Sequence, residues 1–186
     1  MDLSECRSEI DRLDAQIKEL VLKRLDVSYQ VAQAKHDAGS SQVLRPEREA
    51  QIISQLGADV PAEKRAAYVA VVRTVMETSR MYQYDLLYSW DESLFSAIEG
   101  AQLAAGPSES VTVAFTCANA PRGFSSVAEI AGDRGFNLVA AKLVEATDDT
   151  ASFEVTIEGD AAQEPLRKLL FQLSKETQGF RIVGTR

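Results

Sequence analysis

The sequence predicts an α + α/β protein of two domains, an all-α three-helix domain followed by a smaller domain of β-α-β-β-α-β order. Three observations indicate this fold class. Apolar residues recur at helical spacing through about the first 90 residues, the turn-forming segment Gly106-Pro107-Ser108 follows, and strand-like alternation begins behind it. We therefore place one domain, with its connector, over residues 1–105 and the other over residues 106–186.

The first predicted helix is long and runs from Ser4 to about Ala38. At 1.5 Å per residue its length is about 52 Å, which is more than a domain of about 90 residues covers from one side. We therefore expect this helix to pack on a second copy of itself. Its apolar residues at helical spacing are Cys6, Ile10, Leu13, Ile17, Leu20, Val27, Val31 and Ala34.

Two basic residues lie on this apolar stripe. Arg24 stands in an apolar position, and Lys35 follows 11 residues later, about 20° past three full helical turns. Both side chains are therefore predicted to face the core. Because burying an unpaired charge is costly, the two cations indicate either carboxylate partners or a bound anionic ligand. For each cation taken alone, a snorkelling or ion-paired helix residue is the alternative.

Two shorter helices complete the first domain. Pro46 begins a helix that ends near Gly57, and Pro61 begins another that runs to about Trp90. Four polar residues on these helices mark a candidate site, namely the pair Arg48 and Glu49 and, four residues apart on an apolar stripe, Ser79 and Gln83. The side chains of the second pair are predicted to point inward together.

The second domain mixes strands and helices. The predicted strands cover residues 111–116, 137–146, 152–157 and 180–183, and the predicted helices cover residues 125–134 and 161–177. Gly135 ends the first of these helices, and an Asp148-Asp149 turn separates the two middle strands. The resulting order is the split unit of ferredoxin-like folds.

Composition and charge narrow the functional class. The net charge is −8, from 20 basic and 28 acidic residues, which argues against general binding to nucleic acid or to an anionic membrane. No apolar run reaches the roughly 18 residues that a membrane span requires, and no basic-then-apolar signal segment begins the sequence. We therefore expect a cytoplasmic protein whose anion site is a local basic cluster.

Metal and cofactor chemistry are not indicated. The chain has two cysteines, Cys6 and Cys117, and a single histidine, His36, so a zinc site or a Cys-His nucleophilic pair is disfavoured. The sequence has neither a glycine-rich phosphate loop nor a GxSxG elbow. We expect no metal and no organic cofactor.

The polar residues of the three helices form an ordered set, with "PERE" opening the second helix and "ETSRMYQ" near the end of the third. The set consists of Arg7, Arg24, Lys35, Arg48, Glu49, Ser79 and Gln83. Over about residues 1–90 it resembles the signature of the all-helical (type II) chorismate mutases. The resemblance implies that two subunits exchange their first helices in an intertwined homodimer. It also implies a Claisen rearrangement of chorismate to prephenate, in phenylalanine and tyrosine biosynthesis.

The resemblance implies that Arg7 is donated into the site of the other subunit. Helix geometry agrees, because Arg7 lies 17 residues before Arg24, about 260° beyond four turns, and is predicted to point away from the Arg24 side. The substrate is a dianion, and its two carboxylates suit bidentate hydrogen bonds from two guanidinium groups. We expect Arg24 from one subunit and Arg7 from the other to supply them.

The remaining residues of the set suit the other needs of this reaction. The ether oxygen gains negative charge as its bond breaks, and Lys35 and Gln83 are the candidate donors to it. Glu49 is expected to accept from the ring hydroxyl, Arg48 to add positive potential and Ser79 to bond a carboxylate. We expect Arg24, Lys35, Gln83 and Glu49 to be catalytic. Arg45 departs from the family pattern, because some members place an Asp there, near the substrate hydroxyl.

The second domain resembles an ACT domain, a small module that often regulates amino-acid enzymes. The resemblance covers residues 109–186 and rests on "RGFSSVAEIAGDRGFNLVAAKLVEA" and the closing "FRIVGTR". It implies an amino-acid effector, phenylalanine or tyrosine, bound near Asn119, Arg122, Gly123, Asn137 and Leu138. Residues 142–146 depart from the Glu-Ser-Arg-Pro segment of related dehydratases, so a structural or dimerising role is the alternative.

Two other functions compete with the mutase. An isochorismate pyruvate-lyase shares the helical fold and the Arg/Lys cluster, although the full set with Arg48, Glu49 and Ser79 favours the mutase. A non-catalytic regulator, an ACT-type sensor joined to a degenerate helical domain, is the alternative from another class. The complete set of charged residues argues against degeneration, because buried cations without a ligand would only cost stability.

Overall fold

The computed structural model describes residues 2–186 and divides into two compact units, the first extending to Leu86 and the second running from Leu87 to Arg186. The long helices are α1 (Leu3–Asp37), α2 (Pro46–Gly57) and α3 (Ala62–Trp90). The last residues of α3 belong to the second unit. The elements that follow are α4 (Ser93–Ser96), a 3-10 turn (Ala101–Ala104), β1 (Ser110–Ala118), α5 (Gly123–Asp133), β2 (Leu138–Ala146), β3 (Thr150–Glu158), α6 (Glu164–Glu176) and β4 (Gln178–Thr185).

This layout confirms the predicted fold class, a long helical region followed by a four-stranded antiparallel sheet with helices. The boundary at residues 105 and 106 stays a prediction. The connector ahead of it packs within the second unit, where α4 contacts α6 and the 3-10 turn contacts β4. Phe95 and Ala104 in this connector are buried.

Both ends of α1 have local causes. Asp2 Oδ1 accepts a hydrogen bond from Glu5 N at 2.9 Å, and Glu5 Oε2 accepts one from Asp2 N at 2.7 Å, which makes a capping box. At the other end Gly39 has a φ of +66°, and the N–H of Ser40 donates to the carbonyl of Lys35 at 2.9 Å. These features form the left-handed helix stop that glycine permits, and they place Lys35 in the last turn.

The apolar stripe of α1 is not buried within one chain. The buried residues of α1 are Ser28 and Ala32, whereas Ile10, Ile17 and Leu20 on the predicted core-facing side are 55%, 56% and 65% exposed. The stripe therefore lacks a covering surface in the described chain, and its packing on a second copy stays a prediction. None of the helices within residues 2–186 is both long and apolar enough to cross a membrane.

The second unit is built on the sheet order β2-β3-β1-β4, with all neighbours antiparallel. Its core is apolar and closed. The fully buried side chains include Val111, Val113, Phe115, Val155, Ile157, Leu166, Leu169, Leu170, Phe171 and Leu173, from β1, β3 and α6. The β-α-β-β-α-β order is as predicted, and β1 and β3 hold the centre of the sheet.

Candidate active site

The first unit contains a cavity of about 390 Å³ lined by α1, α2, α3 and the loop between α1 and α2. Its polar lining consists of Arg24, Ser28, Lys35, Arg45, Arg48, Glu49, Ser79, Arg80 and Gln83. Its apolar lining consists of Val27, Val31, Val43, Ile52 and Met76. A cavity with an apolar floor and several convergent polar groups is typical of a small-molecule site.

The structure brings together six of the seven residues that the sequence marks as a set. Those six are Arg24, Lys35, Arg48, Glu49, Ser79 and Gln83. Arg7 is exposed in the second turn of α1 and is not among the lining residues. It lies about 25 Å from Arg24 along the helix at 1.5 Å per residue, so it cannot reach the cavity of its own chain.

Arg24 is fixed in the cavity wall by α3. Its Nη1 donates to the carbonyl of Val75 at 3.1 Å and to the hydroxyl of Ser79. Burial lowers the pKa of Arg24, and the negative charge of Glu49 opposes that shift. A guanidinium has five N–H donors, so Nε and Nη2 keep donors beyond those that Nη1 uses. Arg24 is therefore pre-positioned and still able to bind an anion.

Lys35 is held by the loop between α1 and α2. Its Nζ donates to the carbonyls of Gln42 and Val43, at 3.0 and 3.2 Å. The same loop is fixed from α3, because the N–H of Leu44 donates to the hydroxyl of Tyr84 at 3.2 Å. An ammonium group has three donors, so one N–H of Lys35 remains for a ligand. Burial lowers the pKa of Lys35, and the positive charge of Arg45 lowers it further.

Gln83 has a buried amide with unused hydrogen-bonding capacity. The residue is 8% exposed, and its Nε2 donates to the carbonyl of Ser79 at 3.2 Å. Within residues 2–186 its Oε1 is buried without a hydrogen-bond partner. Such a group costs about 1–3 kcal/mol unless it is satisfied, and the second N–H of Nε2 is also available. Gln83 is thus ready to bond a polar ligand in the cavity.

Arg80 is a lining residue that the sequence reasoning missed. It is 8% exposed, and its Nη1 lies 2.5 Å from Glu49 Oε1, so an ion pair joins α3 to α2 across the cavity wall. The signal was present in the helical spacing, because Arg80 follows Met76 by four residues and precedes Gln83 by three, on one face of α3.

The charge of the cavity is strongly positive. Its cations are Arg24, Lys35, Arg45, Arg48 and Arg80, and Glu49 is the one acidic residue among the described lining residues. The whole chain carries a net charge of −8, so this cluster is a local reversal of sign. An excess of cations around a cavity attracts anionic ligands. Over residues 2–186, no group of three or more His, Cys, Asp and Glu side chains is placed to hold a metal ion.

Three of the predicted effector residues, Asn119, Arg122 and Gly123, lie between the end of β1 and the start of α5. Arg122 has a φ of +71° and its guanidinium pairs with Glu129 at 2.7 Å, while Asn119 Nδ2 donates to the carbonyl of Thr147 at 2.6 Å. A Cβ on Gly123 would lie 1.9 Å from the carbonyl oxygen of Ala118, so glycine is required there.

The other two predicted effector residues lie at the far end of the sheet. Asn137 Nδ2 donates to Glu158 Oε2 at 3.1 Å, and Leu138 pairs with Ile157 at the start of β2. Glu158 in turn pairs with Ser110, the first residue of β1. The loop that contains Asn119 follows the last residue of β1, at the opposite end of the strand. Nine-residue strands span about 30 Å at 3.3 Å per residue. The structure therefore does not bring the two groups together within one chain.

The fold and the cavity define a class of protein, an all-helical domain with a cationic, half-open site for a small anion. Residues 6–84 match the family model described as Chorismate mutase type II. Residues 6–84 are therefore similar to the chorismate mutase type II family over most of the first unit, and the match supports chorismate mutase, an isomerase. The match does not extend into the second unit.

One solved structure, titled "GqqA- a novel type of quorum quenching acylases", shares 23% identity with a TM-score of 0.39. The match covers 43% of this chain and spans 30% of that chain's length. A comparison with curated protein sequences finds no match.

Proposed function

We propose that the first unit converts chorismate to prephenate. The observation that carries the proposal is the cavity itself, where six residues of the mutase set surround one space with five cations and a single carboxylate. Chorismate carries two carboxylates, which suit such a space. The rearrangement is unimolecular, so a protein can promote it by holding the reactive conformer and stabilising the charge that develops.

Each lining residue has a task in this proposal. The free donors of Arg24 bind one carboxylate, and Ser79 beside it keeps the guanidinium in place. The remaining N–H groups of Lys35 and of Gln83 Nε2 are the donors for the ether oxygen as negative charge develops on it. Glu49 accepts from the ring hydroxyl, and Arg48 adds positive potential. Arg45 lines the cavity where some family members have an Asp, and it increases that potential.

We further propose a homodimer that completes the site. The exposed apolar stripe of α1 needs a covering surface, and a second copy of the same helix offers a matching one. Arg7 cannot reach the cavity of its own chain, and the second carboxylate of the substrate needs a guanidinium. Arg7 of the partner subunit is the candidate, in line with the family that residues 6–84 match.

For the second unit we propose an ACT-like regulatory role with phenylalanine or tyrosine as effector. An effector that contacts both Asn119 to Gly123 and Asn137-Leu138 needs two copies of the unit, because these groups lie at opposite ends of one sheet. A structural or dimerising role is the alternative. Titration of the purified chain with each amino acid, followed by calorimetry and by the rate of prephenate formation, distinguishes the two roles.

The test of the mutase proposal is to incubate the purified chain with chorismate and quantify prephenate. Parallel incubation with isochorismate, followed by measurement of released pyruvate, tests the lyase. Prephenate without pyruvate supports the mutase, and pyruvate from isochorismate at a higher kcat/KM overturns it. If the chain turns over neither substrate, the result favours the non-catalytic regulator. Arg24→Ala is the active-site variant, and Arg12→Ala, an exposed arginine of α1 paired with Glu9, is its matched control.

A further inference from the structure

Arg80 is a buried cation in the cavity wall without a task in the mechanism proposed above. Its Nη1 lies 2.5 Å from Glu49 Oε1, so it joins α3 to the first turn of α2. Side-chain exposure is 10% for Arg80 and 25% for Glu49, so water screens the pair weakly. A charged pair in such a wall is costly to bury and therefore has a physical reason.

Fold stability does not explain the pair. Desolvating two charges offsets most of their attraction, and replacing a buried ion pair by apolar residues of similar volume is often neutral or stabilising. The wall around the pair is already apolar, with Met76 one turn before Arg80 on α3 and Ile52 three residues after Glu49 on α2. Apolar side chains at both positions would continue this lining.

The charge of the substrate does not explain Arg80 either. A dianion needs two guanidinium groups, and Arg24 and Arg7 of the partner subunit account for both in the proposed function. Arg80 directs Nη1 to Glu49 instead. Through this contact Arg80 pairs with the carboxylate among the described lining residues, so its role is argued from what that carboxylate does.

We propose that Arg80 is a positioning residue that fixes the carboxylate of Glu49 for the ring hydroxyl of the substrate, an inference that rests on the proposed mutase function. Within residues 2–186, Arg80 provides the one hydrogen bond to the Glu49 side chain, and it takes Oε1. Oε2 is left as the acceptor for the hydroxyl. Without Arg80, Glu49 is free to rotate or to turn toward Arg24, whose charge already interacts with it. In this proposal Arg80 acts through Glu49, because its bond to Oε1 sets where Oε2 lies.

The test is a double-mutant cycle of Arg80→Met and Glu49→Ala with kcat and KM for chorismate as the readout. Arg80→Met should lower kcat/KM by about 10- to 100-fold, the range for one hydrogen bond to a charged group. In the Glu49→Ala background, where no side-chain acceptor remains, the same substitution should lower it less than about threefold. Arg80→Lys, which keeps a donor of the same charge, should recover part of the loss. Arg73→Met, two turns earlier on α3 and outside the cavity lining, is the matched control and should leave kcat/KM unchanged.

A substrate analogue that lacks the ring hydroxyl separates positioning from a merely structural role. Loss of Arg80 should affect its turnover little, because Glu49 has no hydroxyl to accept from, whereas a structural defect would slow both substrates equally. Additive losses in the cycle, or an equal loss with the analogue, overturn the positioning role. If the unmodified chain does not turn over chorismate, the proposed function fails and this inference fails with it. Turnover by the unmodified chain with an unaffected Arg80→Met variant overturns this inference alone.

Discussion

The two units bury their apolar residues in opposite ways. In the sheet unit, α6 is 13 residues long and six of them are buried, five of which are apolar. In the helical unit, α1 is 35 residues long and buries Ser28 and Ala32. The sheet unit therefore carries a complete core, whereas the helical unit has a polar cavity and an uncovered apolar stripe. The comparison shows that the sheet unit buries its apolar side chains within one chain, whereas the apolar stripe of the helical unit is left for the second copy that we propose.

The largest expected effect is on the core of the sheet unit. Leu169 is fully buried on α6, and Leu169→Ala should lower the free energy of unfolding of this unit by about 2–5 kcal/mol. Denaturant unfolding measured by circular dichroism reports the change. Val139→Ala on β2, where the side chain is 54% exposed, is the control and should cost within about 0.5 kcal/mol. Equal costs at both positions would show that the sheet unit has no closed core of its own.

In the helical unit the largest effect is expected on catalysis and not on folding. Lys35→Ala removes the free donor beside the cavity and should lower kcat by about 10²–10³-fold, or about 2.7–4 kcal/mol of transition-state stabilisation. The rate of prephenate formation at saturating chorismate measures it. Lys23→Ala, an exposed lysine of α1 paired with Glu19, should leave the rate unchanged. An unaltered rate in Lys35→Ala would remove Lys35 from the mechanism.

A substitution on the apolar stripe tests whether a second copy covers α1. Leu20 is 65% exposed in one chain, so Leu20→Asp should be nearly neutral in a monomer. In the proposed dimer it should cost more than about 2 kcal/mol, because burying a leucine side chain contributes about 1.5–3 kcal/mol. The melting temperature should then depend on protein concentration. Leu22→Asp, 52% exposed but off the stripe, is the matched control, and sedimentation velocity gives the oligomeric state directly.

The smallest expected effect is a shift in pH dependence. Lys35 must be protonated to donate, and burial together with Arg45 lowers its pKa, so its charge is lost at a lower pH than in an ordinary lysine. The kcat/KM profile, which reports the free enzyme, should therefore fall on the alkaline side below the usual lysine range. Arg45→Gln removes one cause and should move this alkaline limb to higher pH. If the alkaline limb of Arg45→Gln lies at the same pH as that of the unmodified chain, a group other than Lys35 controls it.

The predicted elements agree closely with the structure because their signals are local. The spacing of apolar residues and the proline at position 46 place α1, α2 and α3, and alternation places the strands that form the sheet. The interruptions of the stripe by Arg24 and Lys35 likewise marked residues that do line one cavity. The helical spacing places Arg80 on the same face of α3 as Met76 and Gln83, but it carries no information about its partner, Glu49 on α2.

The sequence by itself determined which segments are helical or extended, where they end, and which polar residues interrupt the apolar faces, since these properties depend on neighbours within a few residues. Tertiary structure alone decided that Arg80 on α3 meets Glu49 on α2, that the loop before α2 lies against Lys35, and that the apolar side of α1 stays uncovered in one chain. The physical reason is that contacts between residues far apart in the chain depend on how whole elements pack, and periodicity within one element carries no information about its partner.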